Sequence, residues 1–250
     1  MMPDFLVFQL HGALASWGDI AVGEHRPSAG HPSKSAITGL LAAAIGVDRQ
    51  DDESQLRLSR DYRLAVCVIE AGELLRDYHT VQVPGGKREY ASRSDELMFD
   101  KQNLNTILSQ RDYRTDALYQ IAIECCSDAP LYPLEELREK LLNPHFTLYL
   151  GRKSCPVSLP LFPQLSTGCS LKQAFDQYPS EKAATWTYAL KPKQTKLRSY
   201  YWESGFSEET LTGLTATMAY PRRDQVSSRQ RWQFSNRDEF YCAETRQGEL

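Results

Sequence analysis

Along residues 5–150 the apolar side chains follow an order that few folds accommodate. Phe5, Leu6, Val7, Phe8 and Leu10 make a run that is apolar on both faces, which predicts a strand in the middle of a sheet. Ile37, Leu40, Leu41, Ala44 and Ile45 then recur at helical spacing, with Ser33 in the N-cap position and Gly46 in the C-cap position. Leu64, Ala65, Val66, Cys67, Val68 and Ile69 predict a second strand, and the alternation over residues 119–125 a third. Leu134, Leu137 and Leu141 share one face of a helix over residues 133–142, with Pro133 near its first turn. Phe146, Thr147, Leu148, Tyr149 and Leu150 predict a fourth strand. Strand–helix–strand twice over is the split βαβ pattern of a ferredoxin-like domain, here spanning residues 1–150. RNA-binding modules often use the sheet face of that fold.

Two regions fall outside this frame. After an extended stretch over residues 75–83, residues 84–115 carry Gly85, Gly86, Lys87, Arg88, Arg93, Lys101, Arg111 and Arg114 among acids, with few core-forming side chains. An insertion of that length is usually functional or disordered. Over residues 151–250 the patterns weaken to a helix near 171–178 and strands near 185–190, 214–220 and 232–241. They predict a smaller β-rich part, either a second lobe or an extension of the first sheet. Asp48, Asp51, Asp52 and Glu53 read as a solvated acidic turn.

The formal net charge of -3 argues against a generally polycationic protein but leaves room for local basic patches. No apolar run reaches membrane-spanning length, and Met1, Met2, Pro3 and Asp4 do not begin a secretory signal. The six cysteines form no CxxC pair, so reduced thiols in a cytoplasmic protein with no zinc site are expected. The phosphate-binding GxxxxGK[ST], the hydrolase GxSxG and the metal-binding HExxH spacings do not occur, and no cofactor is expected.

Four stretches combine cations, small residues and planar side chains. Ser16, Trp17 and Gly18 precede Arg26 and, at the start of the first helix, Lys34 and Ser35. A helix N-terminus with hydroxyls can take a phosphate, and Trp17 either stacks a base or packs the loop on the core. His79, within Arg76, Asp77, Tyr78, His79, Thr80 and Val81, is either a general base or a hydrogen-bonded structural group. Gly151, Arg152, Lys153 and Ser154 place charge and backbone amides at one sharp turn, beside Cys155 as a nucleophile or a buried thiol. Arg222, Arg223, Arg229, Arg231, Trp232, Phe234 and Arg237 interleave arginine with aromatics, which suits RNA or a solvated basic strand.

Taken in order, these blocks resemble a known family. Gly12 to Gly18, Arg26-Pro27, Pro32 to Leu41 with Gly46-Val47 and Asp51-Asp52, then the blocks containing His79, Arg152 and Trp232, are similar to the CRISPR-associated CasD family, the Cas-five-type RAMP subunit of type I-E Cascade. The resemblance implies a RAMP fold, α+β, with a ferredoxin-like (RRM-like) domain, an inserted thumb over about 84–115 and a smaller C-terminal part. It implies partners: crRNA held by its 5′ handle, the backbone, large and other Cascade subunits, and target DNA through the complex. It also implies a non-catalytic, cytoplasmic role with no membrane contact, since a separate endonuclease matures the RNA in type I-E systems. The expected RNA-binding residues are Ser16, Trp17, Arg26, Lys34, Ser35, His79, Arg152, Lys153 and Ser154, the cations on phosphates and the serines adding hydroxyl contacts. A metal-independent endoribonuclease acting on repeat RNA, as in type I-C relatives, is the alternative, and a structural adaptor meeting acidic protein surfaces is another.

Overall fold

The computed structural model describes residues 2–85, 89–98, 104–179 and 197–245. Strand β1 (Phe5–His11) is buried at every residue, as its two-faced apolar sequence requires. It lies between β7 (Leu118–Cys125) and β8 (Gln164–Ser166), and β7 pairs in turn with β4 (Tyr62–Glu70), all antiparallel. Helix α1 (Lys34–Ile45) connects β1 towards β4, followed by α2 (Asp52–Arg60), and α4 (Leu134–Leu142) connects β7 towards β8. The order β4, β7, β1, β8 with two crossover helices is the ferredoxin-like arrangement.

One expected strand is displaced. Residues 146–150 do not form a ladder, and Tyr149 makes only an isolated bridge to Pro156. The strand beside β1 is instead Gln164–Ser166, so residues beyond 150 complete the ferredoxin-like sheet. The chain spends the intervening residues on the Gly151 turn, which fixes the loop after β1.

Both sheet faces are covered. Leu6, Phe8, Leu10, Leu64, Val66, Ile121 and Ile123 pack under α1 and α4. Phe5, Val7, Ala65, Cys67 and Ala122 pack against Leu171, Ala174 and Phe175 of α5 (Leu171–Gln177) and against Phe206 and Leu214. The sheet face expected to be open for RNA is therefore core.

The C-terminal strands extend this sheet. β9 (Leu197–Glu203) pairs with β4, β11 (Gln233–Thr245) with β9, and β10 (Met218–Ser228) with β11, giving one seven-stranded sheet. The strand expected near 185–190 falls outside the described residues. The insertion is a long hairpin of β5 (Glu73–Pro84) and β6 (Leu104–Thr115), paired through twelve positions, with the short α3 (Arg93–Met98) between them. It begins at 73, eleven residues before the polar composition does, because Leu74, Leu75 and Tyr78 are exposed strand residues. β2 (Leu14–Ala15) and β3 (His25–Arg26) pair with the other side of β6 near its base. Among the described residues no helix is long and apolar enough to cross a membrane.

Candidate nucleic-acid interface

The tight turns of the sequence set the geometry. Gly151 adopts φ +84, and a side chain there would meet the Ser16 carbonyl at 1.8 Å. That approach, with the Ser16 N–H donating to the Leu150 carbonyl at 3.0 Å, lays the 151–154 turn against the loop after β1. Ser33 caps α1 by accepting from the Ala36 N–H at 3.1 Å, which brings the helix start to the same place. On β10, Arg222 faces Arg237 and Gln225 faces Ser235, so two residues oppose one and the strand bulges. The bulge turns Asp224 inward. The result is a groove of about 710 Å³ lined by Ser16, Ser33, Ser35, Arg152, Arg223 and Trp232 among others. Three of the four stretches singled out above meet there.

Of the nine expected residues, Ser16, Ser35 and Arg152 line it, and the rest lie outside the lining. Arg152 stacks its guanidinium on Tyr113, 4.8 Å from the ring centroid, and reaches the Arg26 carbonyl at 3.4 Å. Its Nη1 is buried without a hydrogen-bond partner among the described residues. Lys153, Ser154 and Arg26 are exposed beside it, and Arg26 donates to the Gly23 carbonyl at 2.6 Å. Ser35 is half-buried and shares a hydrogen bond with the Ser33 hydroxyl at 3.0 Å.

Three others are structural. Trp17 is 1% exposed and packs edge-on against Tyr119, so it offers no face to a base. Lys34 is buried, its ammonium donating to Glu203 at 2.6 Å and to the Tyr62 carbonyl at 3.3 Å. A charge so enclosed does not reach a phosphate. Ser16 is buried and donates to the Asp112 carbonyl at 3.2 Å, touching the groove only at its floor. The anion position at the start of α1 is also taken: Asp224 accepts the Lys34 backbone N–H at 2.8 Å.

His79 lies elsewhere. It stands on β5 opposite Ser109 and pairs with the Asp77 carboxylate at 2.7 Å, outside the groove lining. Cys155 is buried and burial pushes its thiol up, which is the inert reading of that residue. All six cysteines are free. Among the described residues no cluster of His, Cys, Asp or Glu is placed to hold a metal ion.

Sequence reasoning missed the buried ionic lattice under the groove. Arg237 donates to Asp224 at 2.6 and 2.9 Å and to Glu239 at 2.6 Å, Arg222 donates to Glu239 at 3.0 Å, and His31 lies 2.9 Å from Glu239. Burial works to raise the Glu239 carboxyl, but His31, Arg222 and Arg237 outweigh it and hold it well below the usual range. Arg222 and Arg237, singled out as possible RNA contacts, are thus committed to carboxylates. Among the described residues Arg223 and Arg229 carry no such pair, and they line the groove together with Arg222 and Asp224. Arg49 and Asp52 were missed as well, because nothing in the sequence links the α1–α2 turn to a hairpin tip nearly two hundred residues later.

Residues 5–238 match the family described as CRISPR-associated protein (Cas_Cas5). The chain belongs to the CRISPR-associated Cas5 family. It is 32% identical over 169 residues to the CRISPR system Cascade subunit CasD of Escherichia coli (strain K12), covering 64% of this chain and 70% of that protein. A solved structure titled "Crystal structure of Cas protein" is 26% identical, with TM-score 0.55, covering 96% of this chain and 94% of the other. A chain of a structure titled "CRISPR RNA-guided surveillance complex" shares the fold, with TM-score 0.62 and 19% identity over 97% of this chain and 90% of the other. In this Cas5 chain, as the sequence resemblance implied, the fold is α+β with a ferredoxin-like core.

Proposed function

We propose that this Cas5 chain is a crRNA-binding subunit of a Cascade surveillance complex, and that it holds the 5′ handle of the guide in the groove without cutting it. The observation that carries the reading is convergence. Stretches far apart in the sequence supply guanidinium groups, hydroxyls and an exposed indole to one groove of a chain related to a Cascade subunit. Single-stranded RNA recognition calls for that mixture, cations for the backbone and planar groups for splayed bases. Arg26, Arg152, Lys153 and Arg223 serve phosphates, and Ser35 and Ser154 add hydroxyl contacts. Target choice is left to base pairing, so the protein needs to hold the guide by shape and charge. The β5–β6 hairpin braces a neighbouring subunit, and the assembly is cytoplasmic.

The non-catalytic part of the reading is supported by the place of His79, which stands on the hairpin outside the groove lining. The test is assembly with guide RNA and the other Cascade subunits, comparing the native chain with Arg152→Glu/Lys153→Glu. The variant is expected to recover less RNA, with a salt slope lower by about 1.4 for two lost phosphate contacts to a single strand. Native RNA yield and salt dependence in the folded double variant would overturn the groove as the RNA site.

A further inference from the structure

The turn between β10 and β11 is tethered far from its own strands. Asp52, at the start of α2, accepts from the Ser228 hydroxyl and from the Gln230 N–H, each at 2.8 Å. The tether holds Trp232 at the groove with φ 57, a left-handed conformation unusual for so large a residue. Trp232 nevertheless stays 53% exposed, while Phe234 supports its ring edge-on at 5.8 Å. A tryptophan held in a strained backbone and left open to solvent is not packing a core.

Two cations converge on that ring. The guanidinium carbons of Arg49 and Arg229 each lie 4.3 Å from its centroid. Neither pairs with a carboxylate among the described residues, in contrast to Arg222 and Arg237 just beneath. Burial, then the like charge of Arg49, lowers the Arg229 guanidinium. Like charges brought together around a flat apolar surface suit a ligand that is flat and apolar in one part and anionic in the next. A nucleotide of single-stranded RNA has that composition.

We infer that the hairpin tip is a nucleobase-stacking position: Trp232 takes one unpaired base of the bound RNA, and Arg49 and Arg229 hold the phosphates flanking it. The inference rests on the reading of the groove as an RNA site and assigns one nucleotide within it. A guanidinium on an exposed ring is held less strongly than a stacked base. An arriving base therefore displaces one arginine from the ring, and the freed guanidinium turns to the phosphate, where its hydrogen bonds are charge-assisted. Asp52 acts as a positioning residue, keeping the tip in place before RNA arrives.

The experiment titrates the full chain with eight-nucleotide oligoadenylates carrying 2-aminopurine at one position, stepped along the RNA. One position is expected to be quenched by the native chain. Trp232→Ala should abolish that quenching and weaken binding on the order of ten-fold, whereas Trp232→Phe, which keeps a ring and guards against misfolding, should retain most of both. Arg49→Glu/Arg229→Glu should lower the salt slope by about 1.4, the value for two contacts to a single strand. If Arg152→Glu/Lys153→Glu weakens binding but folded Trp232→Ala does not, the groove stands and the stacking position falls. If the native chain fails to bind, or neither variant matters, the groove reading itself fails. Displacement of the RNA by polyglutamate equally from native and Trp232→Ala chains would assign the tip to an acidic protein segment and overturn the inference.

Discussion

The Lys34 ammonium lies 2.6 Å from the Glu203 carboxylate, with both side chains buried, and the pair joins the start of α1 to β9. Glu203 also accepts the Leu64 N–H at 2.6 Å on β4, so one carboxylate ties the N-terminal half to the C-terminal strands. Removing one partner leaves a buried charge. Glu203→Ala or Lys34→Ala should therefore cost about 3–5 kcal/mol, read from urea unfolding. Lys34→Met with Glu203→Gln should recover much of the loss, since replacing both members avoids the unpaired charge. The double variant should bind RNA like the native chain. A selective loss of RNA binding at unchanged stability would return Lys34 to the phosphate role its sequence position suggested.

Acid should loosen the lattice beneath the groove in two stages. Burial lowers His31 below its ordinary value of 6.5, so the unfolded chain takes up a proton there before the folded one does. The stability His31 contributes is complete above pH 6.5 and declines as the pH falls below it. His11, also lowered by burial, works in the same direction. Glu239 is depressed below its ordinary 4.5, and its contribution is lost as the pH falls beneath that. Urea midpoints should drop between pH 7.5 and 5.5 and again below 4.5. His31→Gln should shrink the first step and leave part of it to His11. A midpoint constant from pH 7.5 to 5.5 would show that the folded chain protonates His31 as readily as the unfolded one.

The repeating patterns were legible and the long-range ion pairs were not. Helix α1 runs between Ser33 and Gly46 as its caps require, because capping is local chemistry written within a dozen residues. The ferredoxin-like order was legible for the same reason. Phe146 to Leu150 looked like a strand, but whether an apolar run pairs depends on which strand it meets, and Gln164–Ser166 is there instead. β9 carries Tyr200 and Trp202 into the core, yet its flanking Lys191 to Lys196 gave no pattern to start from. Among the RNA candidates, the Arg152 turn was legible from a glycine followed by cations. Lys34 was misread because a lysine after an N-cap looks the same whether it meets solvent or Glu203.

Gly151→Ala should damage the site and the fold together. The alanine Cβ would sit 1.8 Å from the Ser16 carbonyl at a φ of +84, so the 151–154 turn must leave the loop it packs on. Strain of that kind costs on the order of 1–3 kcal/mol. Arg152 would lose its seat on Tyr113, and RNA affinity should fall beyond the loss of folded protein. Native affinity in the folded fraction would mean that the turn is not part of the binding surface.

The chain should leave repeat RNA intact. His79 pairs with Asp77 on the hairpin, outside the groove lining. Labelled repeat RNA incubated with the purified chain in EDTA is expected to remain full length. A single-site cut that His79→Ala abolishes would restore the endoribonuclease reading.

The β5–β6 hairpin separates folding from assembly, provided the cut respects its base. Deleting from residue 86 to 110 would strip β5 of half its partner strand. The base must also stay, because Asp112 and Tyr113 are buried and β3 pairs with Gln110 and Arg111. Arg76 donates to Asp112 at 2.9 and 3.2 Å, and its hydrogen bonds, with that of His25, hold the Asp112 carboxyl below its ordinary range. The cut that the register allows replaces residues 79–109 with a short turn, since His79 faces Ser109 and Tyr78 still pairs with Gln110. What is lost from the described part is mostly exposed, Val81, Met98 and Ile107 included, so little burial goes with it. Shortening the connection also costs little entropy, because closure depends only logarithmically on length. The isolated variant should unfold cooperatively within a few degrees of the native chain. Assembly with the other Cascade subunits should fail, because the apolar side chains exposed along the hairpin find their partner only there. A midpoint lower by tens of degrees would make the outer hairpin part of the core. Normal assembly with normal RNA content would show that the hairpin braces no neighbour.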